Sequence, residues 1–265
     1  MNLGVPFLLT QNLNSPEAIE QLRSAQAEIA ISVNWISIIG KEACELLPFG
    51  ILNAHAGDLP RYRGNAPVAW AILQGEKSIG ITIHQMDPHE LDAGPIVLKD
   101  YFPVSDETYV GEVFEFFDSR VPEMFVEAIT GLGAGNIVPQ PQPTDPSLSL
   151  RCYPRRPEDG LIHWGQPADS IARLVRASAE PFSGAFTFLQ SERLIIWRAR
   201  PQIWPSPSLA VPGQVVWRDT ASGEIGVAAG DGVLILQEIE INHGRSMPAT
   251  IIKSLRERLG LERTS

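Results

Sequence analysis

Asn53 and His55 stand two residues apart in Ile51-Leu52-Asn53-Ala54-His55, and an aspartate, Asp92, follows in Leu91-Asp92-Ala93-Gly94. These residue types can act together on a carbonyl. An amide N–H and an imidazole N–H can both donate to an oxyanion as it forms. A carboxylate beside the imidazole orients the ring and favours its charged form. Through a water it could also take the proton that an attacking amine releases. On a strand, a spacing of two points the Asn and His side chains to the same side, and a returning loop could bring Asp92 to them. The same residues admit structural readings: Asn-x-His occurs on ordinary strands, and an aspartate in such a turn can be a turn former. His84, His89, His163 and His243 are scattered without ligand spacing, so no metal is expected.

The elements that must position these residues alternate between helix and strand. Ser15 suits an N-cap and Pro16 a first helical position, for a helix to about Ala25. Residues 28–36 read as a buried strand, 38–47 as a short helix, and 50–55, 80–86 and 96–102 as further strands. Residues 106–131 carry one long helical pattern through Val110, Val113, Phe114, Phe117, Val121, Phe125 and Ile129. The mixture predicts α/β layers. A run rich in Gly, Pro, Gln and Ser over 133–149 lacks apolar periodicity. It suggests a catalytic domain over 1–135, a linker over 136–150 and a second domain over 151–265. There, a helix over 169–179 precedes strand patterns at 185–189, 193–200, 213–217, 224–228 and 232–239, and a last helix covers 249–259. This pattern predicts a small barrel or open sheet with Trp164 and Phe186 buried.

Taken in order, Asn53-Ala54-His55-Ala56-Gly57-Asp58-Leu59-Pro60, Arg63-Gly64, Pro67, Trp70-Ala71-Ile72, Gly75, Gly80-Ile81-Thr82, Asp92-Ala93-Gly94 and Pro95-Ile96 resemble the catalytic segment of the 10-formyltetrahydrofolate-dependent formyltransferases. That family includes the methionyl-tRNA, glycinamide ribonucleotide and sugar-nucleotide enzymes. The resemblance implies that Asn53, His55 and Asp92 are the catalytic trio. It puts the pterin loop at Val33, Asn34, Trp35, Ile36, Ser37 and Ile38, with Asp87 to Asp92 as the other wall. The family's His-Pro-Ser-Leu-Leu-Pro is here His-Ala-Gly-Asp-Leu-Pro, a change beside the amine pocket. Arg151-Cys152-Tyr153-Pro154-Arg155-Arg156-Pro157-Glu158-Asp159-Gly160, Ile162, Trp164, Arg176-Ala177 and Gly184-Ala185-Phe186 resemble the C-terminal domain of the methionyl-tRNA and sugar-nucleotide enzymes, which the glycinamide ribonucleotide enzyme lacks. The implied fold class is α/β: a partial, Rossmann-like formyltransferase domain followed by a small β-rich, OB-like domain. The family's opening βα units, roughly 60 residues, are not found ahead of Gly4-Val5-Pro6, so an incomplete catalytic domain with weak folate binding and slow transfer is expected.

The 265 residues, 44% apolar, suffice for two cores. No stretch approaches the roughly 20 apolar residues of a membrane span. Cys44 and Cys152 are far apart and read as unpaired thiols in a reducing cytoplasm. The net charge of −10 is uneven: residues 1–150 hold 7 Lys+Arg against 19 Asp+Glu, and residues 151–265 hold 14 against 12. An acidic first half disfavours a broad nucleic-acid footprint. The resemblance implies 10-formyltetrahydrofolate and a primary amine as substrates, preferably an amino sugar on a nucleotide carrier, with tRNA the less expected acceptor. Arg61, Arg63 and Gly64 would flank the amine, and Arg151, Arg155 and Arg156 suit its diphosphate. No membrane partner is expected, and a homodimer is left open. The reading from outside enzymology is a folate-binding or structural remnant without catalysis.

Overall fold

The structure, a computed structural model, describes residues 7–35, 37–204, 206 and 208–260. By internal contacts the chain divides into two units. The first comprises Met1–Pro67, Ser78–Phe102 and Phe116–Tyr153; the second comprises Val68–Lys77, Pro103–Glu115 and Pro154–Ser265.

In the first unit, α1 (Pro16–Ser24) starts where its residues dictate. The Ser15 hydroxyl accepts from Ala18 N at 3.2 Å, and Pro16 fills a position whose N–H would lack a helical partner. Ile19 of α1 packs with Ala43 and Cys44 of α2 (Lys41–Glu45) and with Ile39, Leu47 and Ile51 in one apolar cluster. The sheet runs β1 (Ala30–Ser32), β2 (Ile51–His55), β4 (Ser78–Gln85), β5 (Ile96–Pro103). β1 and β2 are parallel; β2 and β4 are antiparallel, with Asn53 opposite His84 and His55 opposite Thr82. The strand expected over 28–36 stops at Ser32, because Asn34 turns left-handed at φ 51. The Asn14 side chain then ties the following loop down, donating to Ile38 O at 2.8 Å and accepting from Gly40 N at 2.6 Å.

β4 is buried from Ile79 to His84, which explains its mixed sequence. Ile79, Ile81 and Ile83 alternate with Gly80, Thr82 and His84, so one face is apolar and the other carries small or polar groups. On that second face the chain after β2 crosses closely: Thr82 Oγ1 donates to Gly57 O at 2.7 Å, and a Cβ on Gly80 would lie 2.8 Å from Asp58 Cα. A two-residue strand β3 (Arg63–Gly64) pairs in parallel with β6 (Arg151–Cys152). Ile96 and Gln140 exchange backbone hydrogen bonds of 2.7 and 2.8 Å. The long helix α4 (Val110–Gly133) begins four residues later than the sequence suggests and buries Val110, Val113, Phe117 and Phe125 of the expected apolar face, while Ile129 is exposed.

The second unit holds a sheet in the order β7 (Ala185–Leu189), β8 (Glu192–Gln202), β11 (Val233–Ile241), β10 (Ile225–Ala228), β9 (Val215–Arg218), with β12 (Gly244–Ser246) on β11. The pairings are antiparallel. α3 (Pro67–Gln74) runs almost wholly in this unit. α5 (Ala168–Ser178) buries Ile171, Ala172 and Val175 in the main apolar cluster. Trp164 is buried in the same cluster, its indole N–H donating to Thr187 Oγ1 at 3.0 Å. Phe186 is only half-buried, with the Arg193 guanidinium 4.0 Å from its ring centre. The closing helix is also shorter than expected: α6 covers Pro248–Ile251. Backbone groups beyond it pair with distant strands instead, as in Leu259 N to Gly213 O and Gly260 N to Phe188 O, both 2.8 Å. Among the described residues no helix is long and apolar enough to cross a membrane.

Candidate active site

β2 delivers Asn53 and His55 to one side of the sheet, and the antiparallel register sets His84 of β4 against Asn53. Asn53 Nδ2 lies 3.2 Å from His84 Nε2, and His84 Nδ1 lies 2.8 Å from Gln85 O. A backbone carbonyl only accepts, so the His84 proton sits on Nδ1 and Nε2 accepts from the Asn53 amide. That contact fixes which end of the amide faces inward. His84 is 1% exposed, and burial pushes its imidazole down to about 4, opposed by its bond to Gln85 O and by Asp92 and reinforced by His55 and Arg63.

His55 is buried with both ring nitrogens facing oxygen. Nε2 donates to Tyr62 O at 2.7 Å, and Nδ1 stands 3.5 Å from Asp92 Oδ2. The other Asp92 oxygen is 3.7 Å from His84 Nε2, and Oδ2 accepts from Gly64 N at 2.8 Å. Asp92 takes φ 54, a left-handed conformation that aspartate tolerates better than most residues. Thus the structure brings Asn53, His55 and Asp92 together.

Two departures in the loop after His55 have local reasons. A Cβ on Gly57 would lie 2.8 Å from His55 Nε2 and 2.9 Å from Tyr62 O, so glycine lets the loop fold over the imidazole. Asp58 Oδ1 accepts from Lys99 Nζ at 2.6 Å and from the Tyr101 hydroxyl at 2.9 Å, which fastens the loop to β5. Burial and the neighbouring Asp58 push the Tyr101 phenol up to about 12.

Of the expected pterin loop, Val33, Asn34, Ser37 and Ile38 are exposed and Trp35 is half-buried against the apolar cluster; Ile36 lies outside the described residues. Trp35 Nε1 and Ser32 Oγ are buried without a hydrogen-bond partner. Two orphaned polar atoms at the end of β1 fit a polar heterocycle with its own donors and acceptors. Asp87 accepts from His89 N and Glu90 N, at 2.7 and 3.0 Å, and shapes the turn after β4; these bonds hold its carboxyl below the usual range.

The expected acceptor contacts are placed less uniformly. Arg61 is exposed, its guanidinium 5.3 Å from the Tyr62 ring centre, and Arg151 is exposed 5.8 Å from the Tyr153 ring. Arg63 is engaged inside the protein: Nε and Nη2 donate to Gln142 Oε1 at 3.3 and 2.7 Å, and Nη1 donates to Glu90 at 2.5 Å. Arg155 and Arg156 belong to the second unit. Arg155 donates to Asp159 O at 3.1 Å and Ser178 Oγ at 3.4 Å, while the Asp159 carboxylate accepts from Arg156 N at 2.6 Å. Sequence reasoning missed His84, Tyr62 and Gln142 as site neighbours. The pairing of β2 with β4 would have found His84; no local signal marks the other two.

The chain matches a family model described as formyl transferase over residues 8–129 and one described as formyl transferase, C-terminal domain, over 155–256. It is 30% identical over 246 residues to the methionyl-tRNA formyltransferase of Citrifermentans bemidjiense, covering 93% of this chain and 74% of that protein. Its fold resembles HypX from Aquifex aeolicus in complex with tetrahydrofolic acid, at a TM-score of 0.63 and 19% identity over 91% of this chain; the chain spans 41% of HypX. It also resembles the N-formyltransferase from Helicobacter canadensis in complex with folinic acid and dTDP-3-aminofucose, at a TM-score of 0.59 and 17% identity, covering 78% of this chain and 71% of that one.

Proposed function

The chain belongs to the formyl transferase family, and on that premise we propose that it moves a formyl group from 10-formyltetrahydrofolate to a primary amine at Asn53, His55 and Asp92. The observation that carries the reading is the convergence of the three side chains, with Asp92 3.5 Å from His55 Nδ1 and Asn53 held by His84 at 3.2 Å. The amine nitrogen attacks the formyl carbon of the folate, and the tetrahedral intermediate collapses with cleavage of the bond to N10, which takes a proton as tetrahydrofolate leaves. Asn53 Nδ2 has a second hydrogen beyond the one given to His84, and it donates to the formyl oxygen as charge develops there. His55 adds its Nε2–H, which an incoming oxygen shares with Tyr62 O. Asp92 orients His55 and receives, through a water, the proton released by the amine. The loop around Trp35 and the turn at Asp87 hold the pterin, and Ser32 Oγ and Trp35 Nε1 are the donors awaiting a partner.

For the acceptor we take an amino sugar on a nucleotide carrier. Supporting it are the altered loop Ala56-Gly57-Asp58 and the excess of acidic residues over 1–150. Arg61 and Arg151 are exposed guanidiniums of the first unit with the chemistry for a diphosphate. The name of the 30% identical relative favours a second acceptor, the aminoacyl end of a methionyl-tRNA. Purified protein is assayed with 10-formyltetrahydrofolate against a panel of amino-sugar nucleotides and methionyl-tRNA. Transfer to an amino-sugar nucleotide upholds the reading. Transfer to tRNA alone, with a steep loss of affinity as salt rises, moves it to the second acceptor, and no transfer to any amine overturns it.

A further inference from the structure

We propose that Gln142 is a positioning residue for Asp92: its side-chain amide clamps the Asp92 loop in the geometry that the His55 imidazole requires. Gln142 lies in the Pro- and Gln-rich stretch after α4, is 8% exposed and belongs to the first unit. Nε2 donates to Asp92 O and to Gly94 O, each at 2.8 Å. Oε1 accepts from Arg63 Nη2 at 2.7 Å and from Arg63 Nε at 3.3 Å. The amide thus uses both hydrogens and both lone pairs. Its orientation follows from chemistry alone, since a guanidinium only donates and a carbonyl only accepts. Of the common side chains of this length, only glutamine meets both demands: glutamate could hold Arg63 but would face two carbonyl oxygens with no hydrogen to give.

The clamp works because the loop is fixed from the opposite side as well. A Cβ on Gly94 would lie 1.9 Å from Gln85 O, so the loop already presses on the end of β4. Asp92 is in the left-handed region, where its backbone needs outside support. Arg63 is the neighbour of Gly64, whose N–H donates to Asp92 Oδ2 at 2.8 Å. Gln142 therefore holds Asp92 by its own carbonyl, by that of Gly94 and, through Arg63, by the strand that hydrogen-bonds its carboxylate. The His55 Nδ1 to Asp92 Oδ2 separation of 3.5 Å is already long for a hydrogen bond, so a small retreat of the loop uncouples the pair.

The inference rests on the proposed formyl transfer, and its test separates the two. Gln142→Met and Gln142→Glu are compared with wild type in kcat, KM for the formyl donor and thermal midpoint. The same Gln142→Met change is also made in an Asp92→Asn background. Both single variants are expected to lose about 100-fold in kcat, the scale of a misplaced catalytic group, with KM changed less than about three-fold. In the Asp92→Asn background, Gln142→Met should cause no further loss, because the two changes remove one function. Independently of turnover, the 15N signals of the His55 ring in Gln142→Met should move to their positions in Asp92→Asn. Unmoved His55 signals, or kcat losses that multiply in the double variant, would overturn the clamp. A wild type with no transfer activity would refute the proposed function while the His55 spectra still decided the role of Gln142.

Discussion

Replacing His84 with glutamine should flatten the acid side of the stability profile. The folded imidazole titrates near 4, and its ordinary value is 6.5. Above pH 6.5 neither the folded nor the unfolded chain holds the proton, so the group adds no pH dependence. Below that the unfolded chain binds a proton that the folded chain refuses, and stability falls as pH falls, by up to about 1.4 kcal/mol per unit. The fall levels off once pH passes below the folded value. Wild type should therefore lose about 2 kcal/mol between pH 7 and 5 through this residue alone, and about 3 kcal/mol by pH 4. Glutamine offers an oxygen to Asn53 in place of Nε2 and does not titrate. Urea unfolding at pH 7, 6, 5 and 4.5 measures the difference between the two proteins, which removes the acid response of the carboxylates they share. Curves that stay parallel to within about half a kcal/mol would show that the buried imidazole accepts a proton as easily as a free one.

Asp92→Asn should lower kcat by about 10²–10⁴-fold while circular dichroism and the thermal midpoint stay near wild type; turnover within a few-fold would remove Asp92 from the chemistry. Gly57→Ala places a methyl 2.8 Å from His55 Nε2 and should lower kcat by about 100-fold, and a fully active variant would show that the loop can yield there. Cys44 and Cys152 are both buried, and burial pushes both thiols up. Neither should react with an aromatic disulfide reagent at pH 7.5 until urea unfolds the chain. Trp164→Phe strands Thr187 Oγ1 in the core and should destabilise the second unit by about 1–3 kcal/mol, seen as a lowered urea midpoint.

Elements governed by near neighbours were readable in the sequence. Ser15 and Pro16 set α1, and the apolar runs of β2 and β4 set strands close to the expected limits. β7 to β11 appear where turn residues separate apolar stretches. What failed depended on distant partners. The helix expected over 249–259 stops at Ile251, and backbone groups of Glu257, Leu259 and Gly260 pair with Val215, Gly213 and Phe188. Asn34 ended β1 early by a conformation that the apolar pattern of 28–36 did not reveal. At the site, Asn53 and His55 were legible because a spacing of two has one meaning on a strand, and Asp92 because the family pattern marks it. His84 looked like one of several scattered histidines, since only the register of β4 against β2 gives it a neighbour. Gln142 sat in a stretch read as a linker, and its bonds reach 50 residues back to Asp92.

The pairing of β3 with β6 has a consequence for the timing of synthesis. Arg63 emerges from the ribosome long before Arg151, and the two-residue ladder between them cannot close until Cys152 is out. Closing so long a loop carries an entropy cost that local contacts do not meet. A nascent chain arrested at residue 135 would already contain Asn53, His55 and Asp92, yet lack both the strand that aligns Gly64 and the amide that grips the Asp92 loop. The geometry proposed for catalysis is then a late event, completed only once Cys152 has been made.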